Sequence, residues 1–139
     1  MIIEKWTLIG RSGNPSYEVA KKWLTNHGIP FEDRSIFAMK RHEIEKLSQI
    51  VPGGAKSLIY PNTFSFLLVN PQKTGDAELV KDIQKGKYSD EEIISTLMVQ
   101  PYLLVAPIIT NFEKIMIGYQ YDELVSTFRY VNVKDVYMA

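Results

Sequence analysis

The sequence contains no cysteine. Disulfides, thiolate metal sites and thiol-based redox switching are therefore excluded. Histidine is scarce: the two histidines, His27 and His42, lie far apart with no clustered carboxylates beside them, which argues against a metal site. An excess of either charge is also missing. The 16 basic and 16 acidic residues cancel, leaving no broad electrostatic footprint for nucleic acid. No apolar run approaches membrane-spanning length, and Met1-Ile-Ile-Glu-Lys lacks the apolar stretch of a secretory signal, so the cytoplasm is the expected location. What remains is ordinary for a soluble globular protein: 45% hydrophobic and 23% charged residues in a chain of 139, long enough for one domain with a sizeable core.

Residues 4–10 read as a short strand running into a glycine-containing loop. A helix is expected to follow, with Asn14 as its N-cap and Pro15 as its first residue, since the N–H that proline lacks has no partner there anyway. Val19, Ala20, Trp23, Leu24 and His27 recur at helical spacing, and Gly28 and Pro30 stop the helix before a second strand over Phe31 to Ile36. Further helices are marked by Ile44, Leu47 and Val51, by Ala55 to Tyr60, and by Asp76, Leu79, Val80 and Ile83. The capping box Ser89-Asp-Glu-Glu92 opens another, with Ile93, Ile94, Leu97 and Met98 on its face. Pro107-Ile-Ile-Thr110 and Lys114-Ile-Met-Ile117 read as a hairpin, followed by a helix with Tyr121, Leu124, Val125 and Phe128 on one face. The apolar run Phe64-Ser-Phe-Leu-Leu-Val69 is expected to bury against the core, and would be an interaction patch if exposed. The tail Tyr130 to Tyr137 alternates like a strand, suited to a sheet edge or a dimer contact.

Four segments carry a resemblance. Leu8 to Leu24 and Gly28-Ile-Pro-Phe-Glu-Asp-Arg-Ser-Ile-Phe37 look like the opening of the arsenate reductase (ArsC)/Spx family. Gln100-Pro-Tyr-Leu-Leu-Val-Ala-Pro-Ile-Ile-Thr110 resembles that family's H-P-x-L-L-x-R-P-I-I segment, and Gly118-Tyr-Gln-Tyr-Asp-Glu-Leu124 its G-Y-x-x-x-E-[IL] stretch. The order βαβ, helices, ββα implies an α/β protein of thioredoxin-like (glutaredoxin-like) fold. It would be a single domain over 1–139, with 1–38 and 102–130 as the core and 39–101 as a helical insertion. The resemblance also implies a cis peptide bond between Ala106 and Pro107.

The departures concern chemistry. A gapless comparison puts Asn14 where the family has its nucleophilic cysteine and Tyr17 at the second position of C-x-x-C. A register matching the reductases' N-P-x-C instead puts Tyr17 at the thiol, at the cost of a three-residue gap. Neither supplies sulfur, and only a thiolate attacks disulfides or arsenate in that chemistry. The arginine expected before Pro107, which helps hold the oxyanion in such reductases, is Ala106. Spx-type members act by binding the C-terminal domain of the RNA polymerase α subunit. Gly54 aligns with a glycine in that contact, although Pro52-Gly53-Gly54 is also an ordinary helix stop, and the basic residues that follow in Spx are Asn62 and Phe64 here.

Two functions therefore compete. One is a redox-inactive regulatory binding module working through protein contacts such as RNA polymerase α, without cofactor or metal. The other is a binder of small anions or thiol ligands, or a degenerate reductase, using the old active-site loop Arg11, Ser12, Gly13, Asn14, Ser16 and Tyr17. That loop leads into a helix N-terminus, where free N–H groups favour anions. Ser16 and Tyr17 are hydroxyl candidates without a nearby base, so nucleophilic catalysis is not expected of them.

Overall fold

Strand β1 (Trp6–Gly10) is buried at all five positions, and the rest of the architecture is arranged around it. The computed structural model describes residues 5–128. After β1 come α1 (Pro15–Asn26) and β2 (Phe31–Ser35), then helices α2 (Arg41–Ile50), α3 (Thr63–Val69), α4 (Ala77–Gln84) and α5 (Asp90–Val99). Strands β3 (Ile108–Thr110) and β4 (Ile115–Ile117) follow, and residues 121–128 form a final helix, α6. The four strands lie in the order β2-β1-β3-β4, with β1 parallel to β2 and antiparallel to β3, and β3 antiparallel to β4. This is the α/β, βαβ–helices–ββα arrangement expected from the sequence.

Because side chains alternate along a strand, β1 feeds two cores at once. Trp6 and Leu8 point to the face covered by α1 and α6, where Ala20, Trp23, Leu24, Leu124 and Phe128 pack with Ile109 and Met116. Ile9 points to the opposite face, where Ile108 joins Ile44, Leu47, Phe66, Val80, Ile83, Ile93 and Leu97 from the helices between β2 and β3. The aromatic ring of Phe128 stands edge-on to Trp6 at 4.8 Å, which seats α6 on the sheet.

Several faces are narrower than their spacing suggests. On α1 the buried residues are Tyr17, Ala20, Trp23 and Leu24, while Val19 is exposed. The helix is rotated so that Tyr17 meets the end of β1, which turns Val19 outward. His27 is the C-cap, with its ring stacked on Trp23 at 3.9 Å. Met98 on α5 and Tyr121 and Val125 on α6 are likewise exposed, since the buried residues there are Ile93, Ile94 and Leu97 on α5 and Leu124 and Phe128 on α6. The apolar run on α3 does not bury as a whole. Phe66 is fully buried between Tyr60 and Tyr102, whereas Phe64 and Leu68, one turn apart on the other side, face solvent. The tail Tyr130 to Tyr137, and Glu4 at the start of the first expected strand, lie outside the described residues. Among the described residues no helix is long and apolar enough to cross a membrane.

One ion pair ties the sheet edge to the helical layer. Arg34 on β2 donates through both terminal nitrogens to the Glu43 carboxylate at 2.9 Å, and also to the carbonyl of Ala38 at 2.8 Å. Glu43 reaches back to accept from the N–H of Lys40, the N-cap of α2, at 2.9 Å. The lysine side chain has only donors, so this is one half of a capping box. Arg34 first, then the Lys40 N–H, hold the Glu43 carboxyl below the ordinary glutamate value despite its burial. A depressed folded-state pKa means the stabilisation is complete above the ordinary glutamate range and is lost as pH falls through the folded value. Glu43→Gln is expected to lower stability at pH 7 by about 1–3 kcal/mol in urea denaturation. The deficit should shrink in acid, where the parent carboxyl is protonated; a variant as stable as the parent at pH 7 would show that the pair contributes nothing.

Candidate functional site

The loop between β1 and α1 is built from its own capping chemistry. Asn14 takes an extended backbone conformation, and its Oδ1 accepts the Tyr17 N–H at 3.1 Å, with Pro15 next to it as the first helical residue. Gly13, at φ 89°, occupies a left-handed turn that favours glycine, and its N–H donates to the Glu18 carboxylate at 3.4 Å. Asn14 is thus buried and engaged as a cap, while Ser12, Gly13 and Ser16 are exposed.

Tyr17, one of the expected loop residues, is buried beside the cleft. Its Oη lies 2.8 Å from both carboxylate oxygens of Asp33, which share its single proton. Lys21, one turn along α1, completes the cluster with its Nζ 3.0 Å from Asp33. Burial first, and the Asp33 carboxylate second, push the Tyr17 phenol above its ordinary value, so it stays a neutral donor at physiological pH. The ring lies against the backbone of Gly10: a Cβ at that position would sit 2.1 Å from Tyr17 Cδ1. The missing side chain at Gly10 is what lets the phenol lie in the mouth of the loop.

Around this lock opens a cleft of about 570 Å³, lined by Gly10, Arg11, Ser12, Tyr17, Asp33, Ser35 and Phe37. Arg11 donates to Asn70 Oδ1 at 2.8 Å, and its guanidinium carbon stands 6.0 Å from the centre of the Phe37 ring. Among the described residues no carboxylate lies within ion-pair distance of Arg11. Tyr60 is buried; burial raises its pKa, and the Arg11 charge and the Ala106 backbone N–H oppose the rise.

The expected site residues do not all meet here. Arg11, Ser12 and Tyr17 line the cleft together, while Gly13, Asn14 and Ser16 do not: Asn14 is buried as the helix cap, and Gly13 and Ser16 are exposed. The Ala106–Pro107 peptide bond is cis, and Ala106, buried, brings a methyl group and no cation. Gly54 is elsewhere, in the turn after α2, at φ 81° with the Asp90 carboxylate 3.0 Å from where its Cβ would stand. Both facts give that glycine a backbone reason. Asn62 caps α3 by accepting the Ser65 N–H at 2.8 Å, and Phe64 beside it is exposed.

Asp33, Ser35, Phe37 and Asn70 are additional members of the site. The alternation of β2 carried a signal for two of them: Phe31, Asp33 and Ser35 share a face, and Asp33 pairs in register with Leu8, on the α1 side of the sheet. Asn70, the C-cap of α3, is brought in from an element remote in sequence, and Phe37 by the 3-10 turn that directly follows β2; no local pattern marks either.

No protein-family model matches the chain. It is similar to the global transcriptional regulator Spx of Staphylococcus aureus, at 27% identity over 120 residues, which is 85% of this chain and 82% of that protein. Global transcriptional regulator Spx 1 of Oceanobacillus iheyensis is 29% identical over 109 residues, covering 76% of this chain and 72% of the relative. Among solved structures, a putative ArsC family related protein from Bacteroides fragilis superimposes with a TM-score of 0.68 at 18% identity, over 88% of this chain and 97% of that one. A possible arsenate reductase from Streptococcus mutans gives 0.63 at 17% identity, over 86% and 96%. The fold is that of ArsC-type, thioredoxin-like proteins.

The contact of Tyr17 with Gly10 makes a measurable prediction. Gly10→Ala is expected to destabilise the chain by about 1–3 kcal/mol through overpacking. Combined with Tyr17→Ala, most of the Gly10→Ala penalty should vanish, because the methyl then has room. A double-mutant cycle in which the two effects simply add would refute the coupling.

Proposed function

The chain is an ArsC/Spx-like protein of thioredoxin-like fold without the family's catalytic cysteine, and on that premise we propose that it is a redox-inactive regulatory module acting through protein contacts. The RNA polymerase α subunit is the first candidate partner, and the cytoplasm the place of action. The observation that carries this reading is the state of the loop. The two positions at which the family resemblance asks for a thiol hold Asn14, engaged as a helix cap, and Tyr17, hydrogen-bonded to Asp33. Neither is an activated nucleophile, and the cation expected before Pro107 is replaced by the methyl of Ala106. Loss of two separate catalytic parts around an intact fold suits a binding role better than a reductase with one exchanged group. The similarity to Spx regulators supplies the direction, from fold-level and sequence likeness.

The lesser reading, a small-anion or thiol-ligand site at Arg11 to Tyr17, is supported by the uncompensated Arg11. It is weakened by the loop itself, where Asn14 and the Glu18 carboxylate engage N–H groups that an anion would need.

Purified chain titrated with the purified C-terminal domain of the α subunit is expected to bind saturably, with weaker binding in Phe64→Asp, at an exposed position where the change is expected to leave the circular dichroism spectrum intact. No saturable signal up to about 100 μM, a free energy weaker than roughly −5.5 kcal/mol, would remove the polymerase subunit as partner. Inorganic phosphate and glutathione, added separately, are expected to leave the amide resonances of residues 13–17 unmoved. Saturable shifts there would favour the anion or thiol-ligand reading instead.

A further inference from the structure

Phe37 stands in a short 3-10 turn (Ile36–Ala38) directly after β2, and 59% of its surface is exposed. It is a wall of two concavities at once: the polar cleft described above, and a second, apolar hollow of about 80 Å³. Ile36, Ile44, Leu97 and Leu104 form the buried lining of that hollow, and Met39, Met98 and Pro101 complete it. Its volume is far below the roughly 300 Å³ at which small-molecule pockets begin. It matches one aliphatic side chain, and methionine adapts readily to such a guest. An exposed aromatic residue beside an arginine is the composition that dominates protein–protein binding energy.

The charges around Phe37 decide which partner fits. Arg11, over the ring, is hydrogen-bonded only to the neutral Asn70, and no carboxylate compensates it among the described residues. Lys40, which follows Met39, is exposed and forms no ion pair among the same residues. The one carboxylate in the cleft, Asp33, is engaged by Tyr17 and Lys21. Glu18, whose carboxylate accepts the Gly13 N–H beside the cleft, forms no ion pair among the described residues either, so with Arg11 and Lys40 the unpaired charge around this surface is positive by one.

We propose that Phe37 and its two flanking hollows form a docking surface for an acidic, leucine-bearing polypeptide segment, with one aliphatic side chain in the apolar hollow and a carboxylate paired with Arg11. The inference deepens the binding-module reading and rests on it: it says where on the chain a protein partner sits and what chemistry that partner presents.

The test is an amide-resonance titration of the full chain with the nonapeptide EELDELEEL, set beside EESDESEES, KKLKKLKKL and a ten-nucleotide oligothymidylate. The leucine-bearing acidic peptide is expected to shift the amides of Phe37, Met39, Met98 and Ser12 saturably, and added salt to weaken it. Phe37→Ala, at an exposed position, and Arg11→Gln should each reduce affinity at least tenfold while preserving the thermal midpoint. Tyr121→Ser, at an exposed position on α6, should leave peptide binding unchanged. Retained peptide shifts in a chain that ignores the polymerase subunit would support the surface and dismiss only that partner. Absent shifts, equal shifts with the basic or leucine-free peptide, preferential binding of the oligonucleotide, or shifts centred away from Phe37 would each overturn the proposal.

Discussion

The structure depends on one short strand having both faces covered. β1 is five residues long, pairs on both edges, and sends Trp6 and Leu8 to one core and Ile9 to the other. A strand buried on both faces must be apolar nearly throughout and must be flanked by structure on each side. The helices between β2 and β3 are therefore an essential layer: without them, Ile9 and Ile108 would face water. The same constraint brings the loop after Gly10, the start of α1 and the end of β2 together at one end of the sheet. It is there that the cleft opens.

At that end a phenol and its partners stand where the family resemblance asks for sulfur. Tyr17 fills the space left by the absent side chain of Gly10, and its hydroxyl bridges α1 to β2 through Asp33. The bond to Asp33 and the burial of the ring both favour the neutral phenol, which makes the group a structural tie and a poor nucleophile. Beside it the cleft is lined by Arg11, Phe37 and the exposed polar side chains of Ser12, Asp33 and Ser35.

Much of the fold was legible because local signals agreed with one another. Asn14 and Pro15 at the start of α1, the Ser89–Glu92 capping box of α5, and the hairpin strands at Ile108 and Ile115 all stand where capping chemistry and periodicity put them. The helix faces were legible only in part. Spacing marks a stripe, but which edge of it is buried depends on how the helix is rotated against its neighbours, so Val19, Met98, Tyr121 and Val125 are exposed. The run at Phe64 shows the limit plainly. Six largely apolar residues look buried as a group, yet a helix of 7 residues lying on a core hides one side, and Phe64 and Leu68 are left on the other.

The sequence by itself determined what this protein lacks: a chain without cysteine has no thiolate, whatever its shape. It also determined the order of strands and helices, since caps, breakers and hydrophobic period are local properties. Only the tertiary structure decided what the old loop became. Tyr17 meets Asp33, 16 residues away, and Arg11 meets Asn70, 59 residues away, because the β1–β2 register and the packing of α3 bring them into reach. Contacts across such separations leave no periodic trace in the chain, whereas the Asn14 cap, three residues from the N–H it accepts, is local and stands in the sequence pattern.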